Sequence, residues 1–185
     1  MAVERVPVLV VGSGPTGLTT ATLLAEQGVR SVLVERNPAT TDHPRAHVVN
    51  TRTMEIFRAM GIADEVRAHG LTAAAYDRIL WKRTVVGEEL GALEMAGPRV
   101  AERAAASPTA IASCAQDHVE RLLRAAAERR GCDLRYGTAL VGCVQDGAGV
   151  TTTLAVDGRE TTLRAEWVVA ADGASSPTRR LLDVA

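Results

Sequence analysis

Cysteine and long apolar runs are scarce in this sequence of 185 residues, and each scarcity excludes a class of protein. The three cysteines form no Cys-x-x-Cys pair, which argues against a disulfide framework and a zinc knuckle. The four histidines show no metal-ligand spacing such as His-Glu-x-x-His. No apolar stretch approaches the roughly 18–20 residues that a membrane-spanning helix needs. We therefore expect no metal site and no membrane span.

A dominant charge sign is also lacking, because 21 basic residues stand against 22 acidic ones and the net charge is -1. This balance argues against a nucleic-acid partner. The N-terminus does not match a signal peptide, since Glu4 and Arg5 precede a short apolar run that ends in glycines. We expect a cytoplasmic protein. Hydrophobic residues make up 46% of the chain, enough for one substantial core.

The chain opens with the pattern of a strand, a glycine turn, a helix and a second strand. Val6–Val11 is a short β-branched run of the kind buried on both faces of a sheet. Apolar residues at helical spacing from Leu18 predict a helix that ends at Gly28. Val29–Val34 predicts a second buried strand, closed by Glu35. This order is typical of a βαβ-type unit with a parallel sheet.

Further elements follow along the chain. The predicted segments are a loop at Asn37–Asn50, helices at Thr51–Met60, Ile62–His69 and Gln116–Arg130, and short strands at Ile79–Trp81, Thr84–Val86 and Leu134–Tyr136. Three alternating segments separated by hairpin turn signals predict an antiparallel meander: Ala139–Gln145, Val150–Val156 and Glu160–Ala165. Trp167–Ala171 predicts another buried strand, with Trp167 and Trp81 as packing residues.

Side-chain patterns within the two main predicted helices separate core from solvent. Met54, Phe57 and Met60 share one face of their helix, and we expect their side chains to be buried in the core. In the helix that begins at Gln116, we expect three charged side chains to face solvent: Glu120, Arg121 and Arg124.

The strongest local signal is a Gly-x-Gly-x-x-Gly turn between the first predicted strand and helix. Its residues are Gly12, Ser13, Gly14, Pro15, Thr16 and Gly17. The first glycine permits a tight turn, the second lets the backbone approach a pyrophosphate, and the third lets the helix pack close to the strand. Glu35, which follows Gly17 by 18 residues, can hold the ribose hydroxyls of an adenosine and repel a 2′-phosphate. The pattern predicts dinucleotide binding.

The turn alone does not distinguish NAD from FAD, although Pro15 favours a flavin. An NAD-binding domain would continue with alternating strands and helices. This chain instead inserts a loop, helices and a mixed middle region before its next clear sheet strand at Trp167.

Four ordered segments across the whole chain resemble the FAD-dependent aromatic hydroxylases, or class A flavoprotein monooxygenases, in particular the phenol, dichlorophenol and polyketide hydroxylase branch. The segments are Val10–Leu18 with Val32–Arg36; Pro44–His47 with Asn50–Glu55 and Gly61; Gln116–Glu120 with Leu122 and Leu123; and Asp172–Arg179, which fits the pattern Asp-Gly-x-x-Ser-x-x-Arg. Four matches in order are more specific than any one of them.

The resemblance implies a role for each matched position. The glycine turn would cradle the FAD pyrophosphate and Glu35 would bind the adenosine ribose. Arg36 would lie near the adenine, and Arg45 near the pyrophosphate and ribityl groups, where a guanidinium suits phosphate geometry. The ordinary alternative for Arg45 is an exposed loop arginine.

Two later positions complete the implied site. Gln116 would reach the ribityl or phosphate groups, with an ordinary first-turn residue as the alternative. Asp172 and Gly173 would support the flavin phosphate region and are linked in the family to both FAD and NAD(P)H, with a plain turn as the alternative. The resemblance implies no catalytic protein side chain.

The resemblance implies an α/β fold with a Rossmann-like FAD-binding βαβ unit, a parallel sheet, the antiparallel meander and the start of a mixed substrate-domain sheet. The FAD-binding domain would comprise 1–70 and 113–185, with 71–112 a partial substrate-domain insertion. We expect the chain to be the N-terminal portion of a longer enzyme, without the second, flavin-facing FAD segment. On its own it would bind FAD weakly and not hydroxylate.

The implied reaction is hydroxylation of a phenolic or similar aromatic ring with NAD(P)H and O₂, through a flavin C4a-hydroperoxide, where the cofactor supplies the chemistry and the protein orients it. Two alternatives stay open. One is a flavin-dependent halogenase or reductase of the same fold, against which the Arg52–Glu55 segment favours a hydroxylase. The other is a non-catalytic FAD- or nucleotide-binding remnant.

Overall fold

The computed structural model of the protein describes residues 3–43, 45–71, 78–94, 102 and 105–184. The chain divides into two compact units, one formed by Met1–His43 with Val119–Ala185 and the other by Pro44–His118. Part of the 71–112 insertion lies outside the described residues. The assignment of 1–70 and 113–185 to FAD binding stays a prediction.

The helices and strands follow one another in an α/β order. In sequence they are β1 (Glu4–Val11), α1 (Pro15–Glu26), β2 (Ser31–Glu35), β3 (Val48–Val49), α2 (Thr51–Ala59), α3 (Ala63–Ala68), β4 (Arg78–Lys82), β5 (Glu89–Glu94), β6 (Ala112–Ser113), α4 (Gln116–Arg129), β7 (Asp133–Tyr136), β8 (Thr138–Asp146), β9 (Gly149–Val156), β10 (Arg159–Ala170) and α5 (Pro177–Leu181).

The first unit contains a six-stranded sheet in the order β7-β2-β1-β10-β9-β8. The four strands β7, β2, β1 and β10 run parallel to one another. The strands β8, β9 and β10 form consecutive antiparallel pairs. These pairings confirm both the parallel sheet and the three-stranded meander expected from the sequence.

The core of the first unit is formed by residues of both the parallel strands and the meander. Its buried members come from five strands: Val6, Leu9, Val11, Val32, Val34, Leu140, Leu154, Leu163 and Ala165. Helix α1 packs against β1 and β2. Its residues Leu18 and Ala21 are fully buried, as the helical spacing predicts. Burial of β1 and β2 explains their continuous apolar sequences.

Among its described residues, the second unit contains the short helices α2 and α3 and two small antiparallel sheets. β3 pairs with β6, and β4 pairs with β5. Helix α2 begins after Asn50, whose side chain accepts a hydrogen bond of 2.9 Å from the backbone N–H of Thr53. Met54, Phe57 and Met60 are all buried, which confirms the predicted core face of this helix.

Two strand predictions were wrong. Thr84–Val86 forms the turn between β4 and β5, where Val85 and Val86 are almost fully exposed, because the second strand begins only at Glu89. The predicted strands Glu160–Ala165 and Trp167–Ala171 are one strand, β10. Its backbone continues past the polar Glu166 because it pairs with β1 along most of its length, whereas β9 accompanies only its first half.

Both tryptophans also differ from the expectation of packing residues. Trp167 is 71% exposed and Trp81 is 54% exposed. Strand β10 pairs with both β1 and β9 at residues 163–165 but only with β1 at Trp167. Strand β4 belongs to a two-stranded sheet, and its side chains are exposed. Neither tryptophan therefore has enough neighbours in these sheets to bury its ring.

Candidate functional site

Four chain segments converge at the carboxyl edge of the parallel sheet. The glycine turn follows β1, Glu35 ends β2, Tyr136 ends β7, and β10 leads into Ala171 and Asp172. Because parallel strands end at the same edge, the fold brings these residues together although they lie far apart in the sequence. This is the edge at which open α/β sheets bind ligands.

Gly12 and Gly17 are required by close packing within the protein. Gly12 has φ +103°, and a Cβ there would lie 2.5 Å from the carbonyl oxygen of Ala171. A Cβ on Gly17 would lie 1.9 Å from the carbonyl oxygen of Gly12. The first glycine therefore admits the segment of Ala171 and Asp172 that follows β10, and the third admits the first turn of α1.

Gly14 is different, because a Cβ there would meet no protein atom within 4 Å. It is the residue that precedes α1, and no side chain caps this end of the helix. Pro15 occupies the first helical position, where its missing N–H costs no hydrogen bond. The open space and the uncapped N-terminus of a 12-residue helix are features that suit a bound anion.

The Glu35 carboxylate lies against the glycine turn. Its Oε2 accepts hydrogen bonds from the Ser13 backbone N–H at 2.9 Å and from the Ser13 hydroxyl at 3.2 Å. Its Oε1 accepts from the backbone and side-chain N–H groups of Asn37 at 2.8 and 2.7 Å. The carboxylate is therefore held in one orientation beside the turn. Asn37 was missed by the sequence analysis, and its place two residues after Glu35 was the available signal.

Asp172 and Gly173 lie in a loop that folds onto itself. The carboxylate of Asp172 accepts a 2.9 Å hydrogen bond from the backbone N–H of Thr178, and the Ser176 hydroxyl accepts one from the N–H of Arg179. Burial alone would raise the pKa of Asp172, but hydrogen bonds from Ser176 and Thr178 bring it below its ordinary value. Gly173 has φ +84°, which favours glycine. The Asp-Gly-x-x-Ser-x-x-Arg pattern thus shapes this loop.

Arg36 and Thr16 lie at the outside of this edge. Both are exposed. Arg36 makes no hydrogen bond or ion pair with any residue that the structure describes. Its guanidinium is therefore available to a ligand.

Arg45 and Gln116 belong to the second unit, where the backbone brings their segments together. The N–H of Gln116 donates to the carbonyl of Ala46 at 2.7 Å, and the N–H of Cys114 donates to that of His47 at 2.7 Å. Arg45 is exposed, and Gln116 is half-buried at the start of α4. These bonds extend the β3–β6 pairing, so that two predicted FAD-binding residues lie on adjacent chain segments.

The predicted solvent face of α4 was wrong for Glu120. This residue is only 3% exposed, and its carboxylate accepts a 3.1 Å hydrogen bond from the backbone N–H of Thr41. Glu120 therefore fixes the loop that follows β2. Arg121 is exposed as predicted, whereas Arg124 is half-buried and stacks over the ring of Tyr136, 4.6 Å from its centre.

Within the described residues, no group of three or more His, Cys, Asp or Glu side chains could hold a metal ion. The helices in the same part of the chain are all too short or too polar to cross a membrane. All three cysteines are free thiols. Burial raises the pKa of Cys114 and Cys132, which lowers their reactivity as thiolates.

The residues of the first unit fit the adenosine and pyrophosphate half of a dinucleotide. The uncapped helix end and the open space at Gly14 suit phosphate oxygens, and the Glu35 carboxylate suits ribose hydroxyls.

A family model described as an FAD binding domain matches residues 5–185. Among curated proteins, a putative polyketide hydroxylase of Streptomyces halstedii is 40% identical over 98% of this chain and 33% of its own length. The 2,4-dichlorophenol 6-monooxygenase of Cupriavidus pinatubonensis is 37% identical over 96% of this chain and 30% of its own length. The chain thus spans about a third of the length of these curated relatives.

Solved structures give the same result. The flavin-dependent monooxygenase PieE, solved with FAD and substrate, matches all of this chain and 33% of its own with a TM-score of 0.94 and 38% identity. Aklavinone-11 hydroxylase, solved with FAD and aklavinone, matches 99% of this chain and 36% of its own with a TM-score of 0.88 and 40% identity. These matches confirm the expected α/β fold and FAD as the expected cofactor, and the chain belongs to the FAD-binding domain family.

Proposed function

We propose that the protein carrying this chain hydroxylates a phenolic or related aromatic ring with NAD(P)H and O₂. In this proposal the chain supplies the adenosine and pyrophosphate half of the FAD site. The observation that carries it is the meeting of the uncapped α1 N-terminus, the open position at Gly14 and the oriented Glu35 carboxylate at one sheet edge.

The glycine turn binds the pyrophosphate through backbone N–H groups. Gly14 leaves space for the phosphates, and the positive end of α1 favours their charge. Glu35 accepts hydrogen bonds from the ribose hydroxyls, while Ser13 and Asn37 keep its carboxylate in place. The same negative charge disfavours a 2′-phosphate at this position.

The remaining proposed contacts rest on the family resemblance. Arg36 lies near the adenine, for which its exposed guanidinium, paired with none of the described residues, is suited. Arg45 and Gln116 bind the phosphate or ribityl groups. Asp172 and Gly173 support the phosphate region through the loop that packs on Gly12.

FAD, when bound, supplies the redox chemistry, since flavins accept hydride from nicotinamides and react with O₂. The residues of this chain bind and orient the cofactor, and none of them serves as a nucleophile. The partners of the protein are then a small aromatic substrate and O₂. We place it in the cytoplasm, where reduced nicotinamides are available.

The binding proposal is tested by titrating this chain with FAD, ADP and FMN in a calorimeter. ADP carries the adenosine and pyrophosphate but no flavin, and FMN carries the flavin without the adenosine. We expect ADP to bind within about tenfold of FAD and FMN at least tenfold more weakly than ADP. Binding of FMN without binding of ADP would contradict the proposal.

The reaction proposal needs the whole protein. Reading the coding sequence downstream of residue 185 shows whether it continues in frame into a Gly-Asp-type flavin-facing segment. That protein is then incubated with NAD(P)H, a panel of phenols and ¹⁸O₂. We expect one ¹⁸O atom in a hydroxylated ring. A product that forms only with halide, or none at all despite bound FAD, would refute hydroxylation.

A further inference from the structure

Tyr136 carries a polar atom that has no visible use in the fold. Its hydroxyl is buried and makes no hydrogen bond of ordinary length and angle within the described part of the chain. An unpaired buried hydroxyl is costly, because it has lost its bonds to water without replacement. Tyr136 ends β7 in direct register with Glu35 of β2. The unsatisfied hydroxyl therefore belongs to the sheet edge at which Glu35 and the glycine turn lie.

The Tyr136 ring is held in place on one side. The guanidinium of Arg124 lies 4.6 Å from the ring centre and is itself held by a 2.8 Å ion pair with Glu128. Burial is the main reason that the pKa of Tyr136 is raised; a hydrogen-bonding interaction with the Ser13 side chain, short of a full hydrogen bond, acts to lower it, and the charge of Glu35 raises it further. Glu35 is the register neighbour of Tyr136 and its Oε2 accepts from Ser13, so both residues lie beside this hydroxyl.

The hydrogen bonds that Glu35 accepts show which of them a bound ribose would displace. Oε2 receives two hydrogen bonds from Ser13, a shorter one from the backbone N–H at 2.9 Å and a longer one from the hydroxyl at 3.2 Å. A ribose hydroxyl that donates to Oε2 competes with the longer bond. Because Ser13 is only 3% exposed, its displaced hydroxyl could not turn to water.

We propose that Tyr136 is a positioning residue for the adenosine ribose, because its hydroxyl pairs with the Ser13 hydroxyl when the ribose takes Oε2 of Glu35. The new bond satisfies two buried hydroxyls at once. Ligand binding then leaves no unpaired hydroxyl at Ser13. The Glu35 carboxylate keeps its hydrogen bonds from the backbone N–H of Ser13 and from Asn37. This inference rests on the proposed binding of FAD at Glu35.

The test compares Tyr136→Phe with the unaltered chain, since phenylalanine keeps the ring beneath Arg124 and removes only the hydroxyl. We expect the Kd for FAD and for ADP to rise about 3- to 10-fold, the worth of one net hydrogen bond. The Kd for 2′,3′-dideoxy-ADP should not change, because this probe has no ribose hydroxyl to displace Ser13. In a Ser13→Ala background, Tyr136→Phe should change the Kd for ADP by less than about 2-fold.

Thermal unfolding separates this role from a structural one. Without ligand, Tyr136→Phe should melt no lower than the unaltered chain, because the hydroxyl it removes makes no full hydrogen bond with any described residue. Thr152→Val is the matched control, since it deletes a buried hydroxyl that donates a 2.8 Å hydrogen bond to the carbonyl of Leu163 in the antiparallel part of the sheet. It should melt lower and leave the Kd for FAD unchanged.

Unchanged Kd values for FAD and ADP in Tyr136→Phe would overturn the inference, as would an equal loss with dideoxy-ADP or in the Ser13→Ala background. In these cases the unaltered chain still binds FAD, and the proposed function stands. If the unaltered chain binds neither FAD nor ADP, the proposed function fails and the inference fails with it.

Discussion

Replacing Gly14 by alanine separates ligand binding from folding more sharply than any other change in the glycine turn. A Cβ at this position meets no protein atom within 4 Å, and its backbone angles, φ -66° and ψ 178°, are ordinary for any residue. The methyl group would instead enter the space in front of the α1 N-terminus. Gly14→Ala should therefore fold normally and bind FAD poorly.

The expected change in stability is small because two effects oppose each other. Alanine restricts the unfolded chain and so stabilises by about 0.4–1 kcal/mol. Alanine is also a poorer residue than glycine at the position before a helix, which costs a similar amount. The free energy of unfolding should thus stay within about 0.5 kcal/mol of the unaltered value, which corresponds to about 2 °C or less in Tm for a chain of this size.

The expected change in binding is large. If the methyl group keeps one phosphate oxygen from its backbone N–H, a charge-assisted hydrogen bond worth about 1.5–3 kcal/mol is lost. The Kd for FAD should then rise about 10- to 150-fold. Calorimetric titration with FAD and thermal unfolding of the ligand-free chain measure the two quantities on the same sample.

Gly17→Ala is the matched comparison for this prediction. Its Cβ would lie 1.9 Å from the carbonyl oxygen of Gly12, so that α1 must move by about 1 Å and the variant should melt well below the unaltered chain. If Gly14→Ala bound FAD as tightly as the unaltered chain, the pyrophosphate would not lie at this turn. If it unfolded as readily as Gly17→Ala, the position would not be open.

Three further predictions concern Glu35, Asp146 and Phe57. Glu35→Gln should raise the Kd for ADP about tenfold and reduce the preference for ADP over 2′,5′-ADP, measured by calorimetry, because the charge that holds ribose hydroxyls and repels a 2′-phosphate is lost; an unchanged preference would contradict this role. The hydrogen bonds from Arg164 lower the pKa of Asp146 to about 2, from an ordinary value of 3.8. The folded chain therefore gains stability above pH 3.8 that is lost as the pH falls toward 2, and urea unfolding of Asp146→Asn should show a smaller loss across this range; an identical loss would refute the assignment. Phe57→Ala should lower the free energy of unfolding by about 3–5 kcal/mol in urea titrations, since the ring is only 2% exposed, and a loss below 1 kcal/mol would mean that the ring lies outside the core.

Local sequence patterns were sufficient to predict the parts of the fold in which the secondary structure of a segment depends only on its own residues. The β-branched run of β1, the glycine turn and the helical spacing of α1 predict the opening unit, and the turn signals predict the meander. Glu35 was also predictable, because its place at the end of β2 follows from the strand itself.

The missed features depend on distant partners. The continuity of β10 past Glu166 comes from its pairing with β1, which no local pattern reports. Glu120 is buried because the backbone of Thr41 needs an acceptor, and the two residues lie 79 positions apart. Tyr136 meets the surroundings of Glu35 only because β7 joins the sheet beside β2. Side-chain roles of this kind require the sheet order, which the sequence alone does not specify.

The central claim is that this chain holds the adenosine and pyrophosphate of FAD at the carboxyl edge of its parallel sheet. A crystal structure of the chain with FAD tests it most directly. We predict that the pyrophosphate lies within hydrogen-bond distance of the backbone N–H groups in the first turn of α1, and the ribose hydroxyls within the same distance of the Glu35 carboxylate. A pyrophosphate bound elsewhere, or a ribose that makes no contact with Glu35, would contradict the claim.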